Sequence, residues 1–497
     1  MKFTLRSGLW MVAGLSVLLS LALHWSILGA EIQGHHNWRQ SYTMWNIYNF
    51  AYHDNDILSP RDGQWNGGSN INRLEFPIMQ WGIAQVVRRF GHEILVSRLL
   101  VWVIGLVGLL GFYRLLRVMG FAAWLALAGT VFFQFSPVFY FYTVNVQPDL
   151  LALAAGIWYL YFVFAYFRGG TTARLIGAGL ALMIATLAKL PFLMLSIVSI
   201  VYFVSKLFEK GQERRKLIGF AGGQLLLILP ALAWYAWVMP TWNSSPALYG
   251  IFGNENTPEE NLRILRHFYQ HYITYDLLSP AVWVFFLLGV FVPARPRVSV
   301  SYTRYVWALA LMTIVYVILQ WNTITYVHDY YLLPLLPWMY IVVCAGAGRL
   351  VEWGAARGLV KMGYTLLASA LVGSPIAAYT LRQEYWEESR SYHYDEFRDI
   401  FAYQEELQAA VDDDARVIVA NDNSGTIFTW LIRKQAYVFA GDNLRPHWIK
   451  DIIDTHRPTH LYSNTRVVDE NPEAAPYLDS LVLSRGNIRV YRLADPE

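Results

Sequence analysis

The chain has 497 residues, 55% of them hydrophobic and only 15% charged, with a formal net charge of +3. Ordinary globular proteins carry roughly 25% charged residues, and a soluble particle of this length could not be covered with so few. The small net charge and the lack of a basic tract interleaved with aromatics exclude nucleic acid as a partner, and the single cysteine, Cys344, excludes an internal disulfide.

A bilayer core takes about 20 mostly apolar residues per helix. In chain order, runs of that kind fall at 8–29, 95–113, 120–138, 149–167, 175–190, 191–206, 217–239, 279–294, 305–321, 331–348 and 362–379. The sequence therefore predicts a polytopic α-helical membrane protein of about 11 spans. The first run follows Lys2 and Arg6 and resembles a signal peptide. Its apolar core is longer than a signal region of about 7–15 residues, so it is read as a retained span.

Basic residues alternate between the connecting turns. Arg114 and Arg117, Arg168 and Arg174, Lys206 to Lys216, Arg295 to Arg304, and Arg349 to Lys361 occupy every second turn, whereas the short turns 139–147 and 322–330 hold no Lys or Arg. Counted over short loops, that bias puts the amino terminus in the cytoplasm and the carboxyl terminus outside the cell (inner) membrane. All 12 histidines then lie at or beyond the outer ends of the helices.

Two domains are expected: a membrane domain over 1–380, including an outer loop at 30–94, and an extracytoplasmic α/β domain over 381–497. Within the outer loop, Trp38, Trp45, Tyr48 and Tyr52 mark one surface helix, and Phe76, Met79, Trp81, Ile83 and Val87 another. Between them, Ser59 to Gly63 and Asn66-Gly67-Gly68 read as turns. In the tail, 416–420, 437–439 and 488–493 read as strands. Residues 426–434 and 446–455 read as helices, the first capped from Asn421-Asp422-Asn423-Ser424.

An ionisable residue near a membrane span is a functional candidate, because a charge at mid-bilayer costs about 2.5–3.5 kcal/mol on insertion scales. Four groups and one lysine qualify. His35, His36 and Arg39 open the outer loop and offer a base or metal ligand and a phosphate partner, or else a polar collar. Arg73 and Glu75 precede Pro77, where the carboxylate either works or caps a helix. Gln147-Pro148-Asp149 opens the fourth span with the same two readings. His328 and Tyr330 lie in Tyr326-Val327-His328-Asp329-Tyr330-Tyr331 before the tenth span, with Asn322 and Thr325 nearby, as a site or as an interfacial aromatic belt. Lys189, followed by Pro191, meets a lipid phosphate or snorkels to the surface.

The order of these pieces resembles the GT-C glycosyltransferases, on the branch of the protein O-mannosyltransferases and lipid A aminoarabinose transferases. The likeness covers roughly 1–350: one span, a long outer loop, Glu75-Phe76-Pro77, Gln147-Pro148-Asp149, then His328-Asp329-Tyr330-Tyr331. It implies a GT-C-like arrangement of spans and transfer of a sugar from a polyprenyl-phosphate donor to an acceptor hydroxyl on a protein, lipid or glycan, at the outer membrane face, with inversion. The catalytic candidates are then Glu75, Asp149, His36 and His35. Arg39, Arg73, Lys189, His328 and Tyr330 would receive the donor phosphate. The family's first-loop aspartate is absent, with His36 and Asn37 at its place. The aminoarabinose branch further implies a divalent metal (zinc, magnesium or manganese) on Glu75 and Asp149, with His36 or else His35 alongside. Rival readings are a lipid-linked glycan flippase and a glycan polymerase. The near absence of charge within the spans, and of any repeat between halves, favours the enzyme over a transporter.

Overall fold

The computed structural model describes residues 5–209, 214–242, 256–291, 300–324, 328–441 and 443–495. Lys2, Lys210, Arg295, Arg297 and the Thr325, Tyr326 and Val327 portion of the tenth-span motif lie outside the described residues. The chain divides into two compact units. The first comprises Met1–Leu28, Leu74–Phe76 and Arg98–Gln383, and the second Gly29–Arg73, Pro77–Ser97 and Glu384–Glu497. Most of the outer loop therefore groups with the tail, where the sequence placed it with the spans.

The first unit is helical. Among the described residues, eight helices are long and apolar enough to cross a membrane, or nine if Pro258–Leu277 and Pro280–Phe291, bent by 80°, form one span. The expected third and fifth spans are the shorter apolar helices Ala123–Gln134 and Thr172–Ala188, so helix length alone does not establish a count of eleven. Proline stands just beyond the break in both places. Pro137 restarts the chain as the separate helix Pro137–Tyr142, and Pro191, which has no N–H to offer the Leu187 carbonyl, follows the extended Lys189 and opens the next short helix, Leu190–Ser196.

Burial ranks the helices of this unit. Of the apolar window of Asp329–Ala356, 83% is buried, against 22% for Ser7–Leu28, so the former is the central element and the latter a peripheral one. Gly289 and Gly346 make that centre possible: a Cβ on Gly346 would lie 2.7 Å from the Gly289 nitrogen. Small residues at a helix contact let two backbones approach where lipid supplies no hydrophobic drive.

The second unit is built on a seven-stranded sheet: β1 (Arg61–Asn66), β2 (Ser69–Ile71), β3 (Val417–Ala420), β4 (Ala436–Phe439), β5 (His460–Ser463), β6 (Leu478–Arg485) and β7 (Ile488–Leu493). Their order is β2-β1-β4-β3-β5-β7-β6. The centre is parallel, and β3, buried at every residue, reads as the unbroken apolar run such a strand needs. Antiparallel hairpins close both edges. The helix Ile427–Ile432 starts under Asp422 and Ser424, whose side chains accept N–H groups of Phe428 and Ile427 at 3.2 and 2.8 Å.

Two expectations for the outer loop change. Arg61, Asp62 and Gly63 are extended in β1 rather than turned, because Gln64 pairs in parallel with Ala436 of β4; Gly67, at φ +60°, keeps its place in the turn to β2. The first aromatic helix, Asn37–Tyr52, is buried through most of its length and is a core element of its unit rather than a surface one. Trp45 meets Trp430 edge to face at 5.7 Å and donates to Thr429 Oγ1 at 3.1 Å. Glu31 extends the same tie: its carboxylate accepts from Trp430 Nε1 at 2.9 Å and Gln404 Nε2 at 3.1 Å, with Arg433 at 3.4 Å. Burial pushes this carboxyl upward, but the Arg433 charge and these donors outweigh it and hold it below its usual range.

Asp62 is the opposite case. It is buried beside Asp422, and desolvation pushes its pKa up to about 7 despite the Gly63 N–H at 2.6 Å. Below about pH 4 the group is neutral both folded and unfolded. From there to about 7 only the unfolded chain has released the proton, so stability falls as pH rises through that window. We predict that the thermal midpoint of this unit falls more steeply between pH 5 and 8 in wild type than in Asp62→Asn. Parallel curves in circular dichroism would contradict the assignment.

Candidate active site

The structure places five of the nine predicted residues in the first unit: Glu75, Asp149, Lys189, His328 and Tyr330. Four of them touch in a chain, Asp149 to Lys189 to Tyr330 to His328. Asp149 is the first residue of the helix Asp149–Gly169, behind Pro148, where the helix amino terminus favours its negative charge. Lys189 follows the helix Thr172–Ala188, whose start is capped by Thr171. The Lys189 Nζ lies 3.4 Å from one Asp149 carboxylate oxygen and 3.5 Å from the other. Both side chains are largely withdrawn from solvent, at 13% and 3% exposure.

Tyr330 and Tyr331 lie beside the ammonium, their ring centroids 5.2 and 5.5 Å from Nζ. At that range an aromatic face attracts a cation, more strongly when both are desolvated. Tyr330 also meets His328, Oη to Nδ1, at 3.3 Å. The tyrosines thus hold the lysine, beyond the belt role their composition suggested.

Glu75 is buried, and its backbone is fastened to the segment that ends in Lys189. Phe76 N–H donates to the Leu187 carbonyl at 3.0 Å, and Tyr235 Oη donates to the same oxygen at 3.2 Å. Trp234 Nε1 donates to Leu74 O at 3.1 Å, and its ring packs edge to face on Phe76 at 4.9 Å. The short strip Leu74–Phe76 is therefore pinned on both sides of its carboxylate. The helix that follows begins at Ile78, with Pro77 at its N-cap.

His35, His36, Arg39 and Arg73 belong to the second unit. His36 starts the helix Asn37–Tyr52 in a left-handed conformation, φ 59°, and its ring lies 3.9 Å from that of His35. His35 N–H donates to Tyr385 O at 2.7 Å, and Gly34, at φ +81°, is required beside it, since a Cβ there would come within 2.8 Å of Trp386 Cα. Arg39 is buried with its guanidinium over the Tyr42 ring at 5.0 Å. Arg73 Nε donates to Leu58 O at 2.8 Å.

The metal set expected on Glu75, Asp149 and His36 divides between the units, with both carboxylates in the first and the imidazole in the second. Asp149 already faces an ammonium, and a divalent ion on the same carboxylate would meet like charge at close range. Asp149 is accordingly a poor cation ligand.

Sequence reasoning missed a second cluster in the first unit. Arg382 lies between Asp276 and Asp329, at 2.9 Å from each, and Tyr142 donates to Asp329. Arg382 sits just past the expected end of the last span and Asp276 just before the eighth, so each read as an ordinary flanking charge. The signal that could have found them is that opposite charges flank two spans that expected topology ends on the same side.

Residues 75–234 match the profile of a family described as dolichyl-phosphate-mannose-protein mannosyltransferase. No curated protein matches the chain by sequence. Among solved structures, ArnT from Cupriavidus metallidurans in the apo state aligns with a TM-score of 0.65 at 12% identity, covering 98% of each chain. ArnT bound to undecaprenyl phosphate aligns at 0.58, again at 12% identity and 98% of each chain. The Archaeoglobus fulgidus oligosaccharyltransferase in complex with Zn and sulfate aligns at 0.51 and 12% identity, over 97% of this chain and 72% of that one. The chain shares the fold of these structures over nearly its whole length.

Removing the ammonium would leave Asp149 charged and buried, a loss of about 3–5 kcal/mol for a broken buried pair. We predict that Lys189→Met lowers the thermal midpoint in detergent and that adding Asp149→Asn recovers most of it. A double variant no more stable than Lys189→Met would show that the pair carries no such strain.

Proposed function

We propose that the protein is a membrane glycosyltransferase that moves a sugar from a polyprenyl-phosphate donor to an acceptor hydroxyl at the extracytoplasmic face, with inversion. The observation that carries this reading is the buried lysine held by Asp149 and two tyrosines, on a segment fastened to the backbone of Glu75. The match of residues 75–234 to a dolichyl-phosphate-mannose family and the shared fold with ArnT bound to undecaprenyl phosphate support it.

In this reading Lys189 receives the donor phosphate and stabilises the negative charge that gathers there as the anomeric C–O bond breaks. Asp149 and Tyr330 orient the ammonium. Glu75 takes the proton of the acceptor hydroxyl as its oxygen bonds to the anomeric carbon, and the bond electrons leave with the phosphate. The phosphate is already a good leaving group, so a single base suffices. His35, His36, Arg39 and Arg73 are given no step here. The basic turns on alternate sides support an amino terminus in the cytoplasm of a cell membrane and a sheet unit outside it.

A metal-assisted form of the same reaction draws its support from the archaeal oligosaccharyltransferase solved with Zn. There one Glu75 carboxylate oxygen would hold the ion, which would supply the charge that Lys189 supplies in the lysine-based form, and the other would still take the acceptor proton.

The test is transfer from radiolabelled polyprenyl-phosphate sugars to a panel of protein, lipid and glycan acceptors. Glu75→Gln should lower transfer by roughly 10²–10⁴-fold, the usual range for a general base, while leaving donor binding nearly unchanged. Equal transfer by variant and wild type would reject the site. Donor-lipid flux across vesicles without transfer would favour a flippase. Activity that survives chelation by EDTA supports the lysine-based form, and loss restored by zinc, magnesium or manganese supports the metal-assisted one.

A further inference from the structure

Arg382 is fully buried at the end of the helix Val360–Arg382. One arm of its guanidinium lies 2.9 Å from Asp276 Oδ1 and another 2.9 Å from Asp329 Oδ2, and the group also sits over the Phe141 ring at 5.6 Å. Tyr142 Oη donates to the other oxygen of Asp329. Four elements meet there: the last span, the π-helical stretch Phe268–Leu277, the short helix Pro137–Tyr142, and the turn Asp329–Leu335.

That turn carries the site. Asp329 is followed directly by Tyr330, whose ring faces Lys189 and lies 6.1 Å from the ring of Tyr142. A planar guanidinium with two carboxylates on its arms fixes direction as well as distance, which an ammonium or a hydrophobic contact does not. Well-packed apolar residues would often serve stability as well as a buried ion cluster. The cluster is therefore better explained by placement than by stability.

We infer that Arg382 is a positioning residue: through Asp329 it sets where Tyr330 stands against Lys189, and so tunes the seat of the donor phosphate. The inference rests on the reading of Lys189 and Tyr330 as that seat. Asp276 and Tyr142 hold the far side of the clamp, so the end of the last span and the bent eighth segment are coupled to donor binding without touching the reacting atoms.

The experiment measures binding of undecaprenyl phosphate to the detergent-purified full chain for wild type, Lys189→Met, Arg382→Met, Arg382→Lys, Tyr330→Ala and each Arg382 change combined with Tyr330→Ala. Arg382→Met should weaken binding about tenfold, a change of about 1.4 kcal/mol, and Arg382→Lys should restore part of it. In the Tyr330→Ala background the Arg382 change should add almost nothing, because residues acting through one contact are not additive. A merely structural arginine would lower the thermal midpoint and give additive losses; that result, or unchanged binding by Arg382→Met, overturns the inference. Should Arg382→Met not fold, the same cycle is read with Arg382→Lys. If wild type fails to bind the lipid, or Tyr330→Ala and Lys189→Met both bind it like wild type, the functional reading fails and takes this inference with it. An additive cycle on top of intact Tyr330 and Lys189 effects removes the inference alone.

Discussion

A charge withdrawn from water has to be answered by another charge or by hydrogen bonds, and in an apolar helical unit that demand organises everything around it. Lys189 and Asp149 answer each other, and the faces of Tyr330 and Tyr331 lie beside them. Neither charge could be buried alone. The helices bearing them must therefore end where these side chains meet: Asp149 at a helix start, Lys189 just beyond a helix end, the tyrosines at the turn leading into the central helix. Proline sits at each of those boundaries, as Pro148, Pro191 and Pro334. The same residues that break the helices thus expose the chain where polar side chains are needed.

The two units solve different problems. In the first, Gly289 and Gly346 let helices approach closely, because packing must replace a hydrophobic drive that lipid does not provide. In the second, β3 is buried along its whole length and the aromatic pair Trp45–Trp430 joins the outer loop to the tail, as a soluble core does. The outer loop and the tail are more than 300 positions apart at the Trp45–Thr429 hydrogen bond, yet they are one folded body.

Much of this was legible in the sequence, and the gaps have physical causes. Apolar runs of bilayer length identified the helical membrane part, and the Pro-Asp and Lys-x-Pro signals located Asp149 and Lys189 at helix boundaries. The pairing of those two residues was not legible, since they are 40 positions apart on separate helices. The third and fifth runs looked like full spans because hydropathy does not register where proline and serine stop a helix. Arg61 to Gly63, in the strand Arg61–Asn66, look like turn residues because glycine and polar residues carry little strand propensity; the parallel neighbour that decides the matter lies in the tail. The helix Asn37–Tyr52 looked interfacial because Trp and Tyr are common both at membrane surfaces and in aromatic cores. Arg382 and Asp276 were overlooked because a lone charge at the edge of a span is usually just a flank.

The account stands on Lys189 being the residue that meets the phosphate of the lipid donor. A structure of the protein with undecaprenyl phosphate bound tests this most directly. The account predicts a phosphate oxygen within hydrogen-bond distance of Lys189 Nζ, about 2.7–3.2 Å. A phosphate seated elsewhere, with the lysine still turned to Asp149 and unengaged by the lipid, would contradict it.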